Sequence, residues 1–388
     1  MRERPKLHFT PARNWINDPN GLIYHNDLFH IYFQHNPFEN KWGHMSWGHA
    51  VSKDLINWQE LPVAIPEQTD HAIFSGSAVF DAKNNRIAAF YTAHKEGNQS
   101  QHLAFSYDHG KTFQLFEGNP ILNLGLADFR DPKVIPYRDH WIMVAAKSKL
   151  LKLSFFRSED FINWEFLSDY EMPGISEIYE CPDLISIDGK WVLFLSTNPG
   201  GPAGGSGMHY VIGDFDGTEF KGNTDPKPLD YGPDYYAAVT FSNCQEPISL
   251  GWMNNWDYAN SRYLNDQPWN GSMTSARKLS LKDGELVQNF FSPTKKHHIP
   301  AGANFEFKYA NGAIKFQRDK DLIWIDRSQL WNDSLIRFSV PGSGDLEIMA
   351  IFDLGSLELS INGLFATLLL EVSSEIPNLE ISPSIAAN

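Results

Sequence analysis

The sequence predicts an all-β protein, a five-bladed β-propeller followed by a shortened β-sandwich, and three observations carry that prediction. Helical periodicity sustained over about 12 residues is scarce, while short apolar or alternating runs bounded by Gly, Pro, Asn or Asp recur throughout. A phrase of Ser, one residue, Asp and then an aromatic repeats at a near-constant interval. Finally, 14% of the 388 residues are aromatic, beside 28 Gly and 23 Pro, which suits many short strands broken by turns.

The first strand candidates are Leu28 to Phe33, Ala88 to Thr92, Trp141 to Ala146, Trp191 to Ser196 and His209 to Gly213. The repeat appears as Ser52 to Asp54 with Trp58, Ser106 to Asp108 with Phe113, and Ser158 to Asp160 with Trp164. A weaker copy runs from Asp214 to Phe220. The Asp positions lie 54, 52 and 54 residues apart. That interval fits one four-stranded blade, with the Asp and its aromatic closing the turn between the third and fourth strands. Five such blades fill residues 1–294, with Ser272 to Leu281 expected as the last inner strand pair. Beyond Lys295-Lys296-His297-His298 the interval is lost. Alternating strands such as Phe305 to Tyr309, Leu322 to Asp326 and Leu346 to Asp353 then suggest a small sandwich over residues 298–388.

Composition excludes several partners. With 32 basic against 47 acidic residues the formal charge is −15, so neither nucleic acid nor an anionic membrane surface is expected to bind. Cys181 and Cys244 form no CxxC pair, and His44 and His49 have no third ligand in register, so neither metal nor cofactor is expected. No stretch reaches the ~18 apolar residues of a membrane span. The N-terminus carries no apolar leader, so the expected location is cytoplasmic as encoded, or extracellular if the chain is a trimmed mature form.

Acidic residues at similar phases of successive blades are the candidates for chemistry, because a propeller gathers its inner strands around one channel. Asp18 lies in Asn17-Asp18-Pro19-Asn20-Gly21, Asp131 in Arg130-Asp131-Pro132, and Glu180 in Glu180-Cys181-Pro182. Taken singly these read as an Asx turn, a surface ion pair and a solvated carboxylate. Together they supply what glycosidic hydrolysis needs: a carboxylate nucleophile, a carboxylic acid for the leaving oxygen, and neighbours that hold the two in different ionisation states.

Trp15-Ile16-Asn17-Asp18-Pro19-Asn20-Gly21, Phe74-Ser75-Gly76, Phe129-Arg130-Asp131-Pro132 and Tyr179-Glu180-Cys181-Pro182 occur in that order. They resemble the signature set of glycoside hydrolase family 32, the invertases, levanases and exo-inulinases. Gly204 to Met208, Asp234 to Ala237 and Gly251 to Trp256 add to the resemblance, which returns at Ile325-Asp326-Arg327-Ser328. It implies Asp18 as nucleophile, Glu180 as acid/base and Asp131 as the carboxylate that holds fructose hydroxyls. Arg130 would orient these carboxylates. Asn17, Gln34 and Ser75 would bind sugar, and Trp15, Trp42, Phe74 and Trp256 would line the pocket. Ile16 departs from the family's usual Met, a volume-conserving exchange, and the sandwich is shorter than the family's usual one. The implied activity is retaining hydrolysis of terminal fructose from sucrose or short fructo-oligosaccharides, with no cofactor. A fructosyltransferase using the same intermediate, or a catalytically weak sugar-binding relative, are the alternatives.

Overall fold

A computed structural model describes residues 3–175, 177–261 and 267–383. Among them every regular element is a β-strand apart from one 3-10 turn at Ser148–Leu150.

Five sheets form the propeller. Their inner strands are Asn14–His25, Ala72–Asp81, Phe129–Tyr137, Ile178–Ile187 and Tyr236–Thr240, and each touches the next around a ring that closes from the fifth back to the first. Each sheet continues outward as an antiparallel meander. The last inner strand is therefore Tyr236–Thr240. Arg277–Lys282, expected on the inner pair, is the third strand of blade 5, because a long excursion after Trp252 delays it. Part of that excursion, Trp269–Asn270, pairs in parallel with Asn14 and Trp15 and so helps to close the ring.

The repeated Asp residues do close the outer turns. Asp54 Oδ1 accepts from the backbone N–H groups of Ile56 and Asn57, and Asp160 Oδ1 does the same for Ile162 and Asn163. Such donation to the ionised form holds each carboxyl down at about 2. In blade 4 the residue doing this is Asp216, which takes the N–H groups of Thr218 and Glu219. Asp214, the expected copy, pairs with Lys190 and Asn223 instead, because it still lies inside its strand, Gly207–Phe215, and the turn begins only at Asp216.

Two sheets of four and five strands follow, spanning Lys295–Ile299 to Asn378–Pro383. They pack over a shared apolar core that includes Phe305, Phe316, Ile325, Leu346, Ile348 and Leu359. The contact with the propeller includes several buried ion pairs. Arg277, fully buried, donates to Asp230 at 2.8 Å, Glu358 at 3.0 Å and Thr367 at 2.7 Å, and its guanidinium lies over the Tyr235 and Phe365 rings. Arg327 of the sandwich reaches Asp234 at 2.6 Å. His8 sits between Asp353 and Glu358; burial opposes its charge, but the two carboxylates outweigh burial and push its pKa up to about 9.

Candidate active site

One structural device recurs in all five inner strands. The pairing of each with its second strand breaks at the mouth of the channel, leaving Asn17 and Asp18, Ser75, Asp131 and Pro132, Cys181 and Pro182, and Ala237 and Ala238 out of register. Bulges re-aim side chains that a regular strand would bury between sheets. Asp131, Cys181 and Ala237 take positive φ values of 63°, 45° and 51°, a strained setting for residues with a Cβ. Ser75 is followed by a glycine for a different reason: a Cβ on Gly76 would lie 1.9 Å from the Phe90 carbonyl oxygen.

Four of these bulge residues, Asn17, Asp18, Ser75 and Asp131, line one pocket together with Gln34, Trp42, Phe74, Arg130, Glu180 and Trp256. Every expected site residue is in that wall except Trp15. Trp15 is fully buried behind it, stacked on Trp256 at 5.9 Å and donating its ring N–H to Asn17 Oδ1 at 2.6 Å. Its role is to support two wall residues, because the inner strand turns its ring into the layer between blades.

The three carboxylates are held differently. Asp18 Oδ2 accepts from the Ser75 hydroxyl at 2.7 Å and lies 3.5 Å from the Cys181 sulfur, while Oδ1 has no hydrogen bond of good geometry. Burial raises its pKa, the charge of Glu180 adds to that, and Ser75, Asn17 and Cys181 oppose it. Asp131 Oδ2 accepts the Cys181 backbone N–H at 2.8 Å. Burial pushes its carboxyl up to about 7 and the charges of Glu180 and Asp18 add to this, against the pull of Arg130. Glu180 is gripped at both oxygens, by Arg130 Nη1 at 2.8 Å and by the Tyr236 hydroxyl at 2.5 Å. Arg130 makes no hydrogen bond to Asp131; its other partners are Asp128 and Gln99. Arg130, Glu180 and Tyr236 are the last paired residues before the bulge in three consecutive blades, which is why they meet.

A family model described as the glycosyl hydrolases family 32 N-terminal domain matches residues 8–289. The chain belongs to glycosyl hydrolase family 32. It is 42% identical over 334 residues to the levanase of Bacillus subtilis, covering 79% of this chain and 49% of that protein. It is 42% identical over 312 residues to the invertase of Debaryomyces hansenii, covering 74% of this chain and 58% of that one. The aligned region thus spans about half the length of these curated relatives. Among solved structures, the exo-inulinase of Aspergillus awamori superposes with a TM-score of 0.88 at 26% identity, covering 98% of this chain and 95% of the other. The fructofuranosidase of Schwanniomyces occidentalis, complexed with fructose, superposes at 0.86 with 30% identity, covering 98% and 95%.

This family 32 site also contains residues that the sequence does not single out. Tyr236 and Cys181 touch the carboxylates directly, and Asp128 and Gln99 hold Arg130. The Asp234 to Ala237 stretch is a visible signal for Tyr236. Nothing local marks Gln99, which lies 31 residues from the arginine it holds.

Proposed function

We propose that this chain is a retaining β-fructofuranosidase that hydrolyses terminal non-reducing β-D-fructofuranosyl residues of sucrose and short fructo-oligosaccharides. The observation that carries the reading is the division of labour between two carboxylates lining one pocket. Asp18 keeps one oxygen free of good hydrogen bonds while Ser75 fixes the other, and Glu180 is held by two donors.

Asp18 Oδ1 attacks the anomeric carbon of fructose as the bond to the leaving oxygen breaks, and Glu180 gives its proton to that oxygen. The fructosyl ester on Asp18 is then attacked by water, whose proton returns to Glu180, and Asp18 leaves as carboxylate. Asp131 faces the ring hydroxyls; as positive charge builds on the sugar, the ionised form of a carboxyl poised near 7 is favoured. Trp42, Phe74 and Trp256 offer apolar faces to the sugars, and Gln34 and Asn17 offer amides to hydroxyls.

The test is hydrolysis of sucrose by Asp18→Asn and Glu180→Gln. Each variant is expected to lose several orders of magnitude in kcat while keeping the wild-type circular dichroism. Turnover near wild type in a folded variant would defeat the proposal.

A further inference from the structure

Blade 2 sends three buried polar side chains across to the catalytic segment of blade 3. Gln101 Nε2 donates to the Phe129 carbonyl at 2.8 Å, Thr92 Oγ1 accepts the Asp131 N–H at 2.9 Å, and Gln99 Oε1 accepts Arg130 Nε at 3.0 Å. Thr92, Gln99 and Gln101 are each 2% exposed or less. Two of the three hold backbone. Gln99 differs, because its target is the side chain that grips Glu180.

The orientation of the Gln99 amide is itself fixed. Its Nε2 donates to His94 Nδ1 at 3.2 Å, and His94 is its direct cross-strand partner. The His94 ring is stacked on Phe74 at 4.4 Å. Burial, with the charge of Arg130 adding to it, lowers the pKa of His94 and favours its neutral ring, which accepts at Nδ1 in the tautomer that carries its proton on Nε2. Turning the amide over would set its NH2 against the Arg130 N–H and its oxygen against the His94 lone pair. The guanidinium is therefore held on three sides, by Gln99 at Nε, Asp128 at Nη2 and Glu180 at Nη1.

We infer that Gln99 is a positioning residue for the reaction: it fixes the rotation of Arg130 and thereby the aim of the Glu180 carboxyl at the leaving oxygen. This rests on the proposed role of Glu180 as acid/base.

The experiment compares kcat/KM on sucrose with kcat/KM on β-D-fructofuranosyl fluoride, whose leaving group departs without protonation. Gln99→Met keeps the volume and removes the acceptor. A hydrogen bond to a charged group contributes about 1.5–3 kcal/mol, so the sucrose value is expected to fall roughly 10- to 100-fold. The fluoride value should stay within about 3-fold, by the same reasoning that no proton is needed. Gln99→Glu restores an acceptor for Arg130 and should recover most of the sucrose activity. Glu180→Gln is run alongside and should show the same selective loss. If Glu180→Gln shows it and folded Gln99→Met loses both substrates equally, or neither, the inference about Gln99 is overturned while the acid/base assignment stands. If Glu180→Gln also loses both equally, the assignment itself fails and the inference with it. Should Gln99→Met not fold, Gln99→Asn, which withdraws the acceptor by one methylene, carries the same expectation.

Discussion

Tyr236, on the inner strand of blade 5, donates its hydroxyl to Oε2 of Glu180 on blade 4 at 2.5 Å, opposite the Arg130 bond to Oε1. The proposed acid/base is thus positioned by the blades on both sides of its own. Tyr236 is fully buried beneath the bulge of its strand, so its ring has one place to go.

Tyr236→Phe removes the donor and leaves the ring in place. Loss of one hydrogen bond to an ionisable group corresponds to about 1.5–3 kcal/mol, so kcat/KM on sucrose should drop roughly 10- to 100-fold. Steady-state kinetics on the folded variant checks this; an unchanged value would show that Arg130 alone orients Glu180.

Asp131 is stored at a cost to stability. Its folded pKa of about 7 lies above the unfolded carboxylate value, so its neutral form is favoured by folding, and stability falls as pH rises from about 4 through 7. Asp131→Asn has no charge to bury and can still accept the Cys181 N–H. The variant should be more stable than wild type by about 2–4 kcal/mol at pH 8 and nearly equal to it at pH 4. Thermal unfolding of both at the two pH values measures the gap; a gap that does not change with pH would contradict the burial account.

Arg277 is one of the buried cations that join propeller and sandwich, and it pairs with a carboxylate of each. Arg277→Leu would leave Asp230 and Glu358 buried without it. Removing one partner of a buried ion pair costs about 3–5 kcal/mol, so the unfolding midpoint should drop by about 5 °C or more. A midpoint within one degree of wild type would show that their other donors, Thr367 and Gly232 for Asp230 and His8 and Ser275 for Glu358, satisfy those carboxylates without Arg277.

The legible parts of this molecule are those written in local sequence. The outer turns advertise themselves because an Asp must meet N–H groups a few residues later, so the repeat at Asp54, Asp108 and Asp160 marks the blades. In blade 4 the sequence points two residues too early, because Asp214 offers the same residue type without the turn geometry. The edge strand Lys295–Ile299 hides its identity behind charged and polar side chains, as edge strands do. Asp18, Asp131 and Glu180 are visible through Pro19, Pro132 and Pro182, which lie in or next to the bulges of their strands. Trp15 lies behind the wall and not in it, because sequence does not tell which face of a bulged strand meets the pocket. Gln99, Asp128 and the ion pairs of Arg277 join elements whose meeting no local pattern encodes.

The central claim is that Asp18 forms a covalent fructosyl intermediate, so that two inversions give net retention. NMR of the first fructose released from sucrose, taken before mutarotation, tests it directly. The β-anomer as first product is the predicted result; the α-anomer would mean a single displacement by water and would contradict the account.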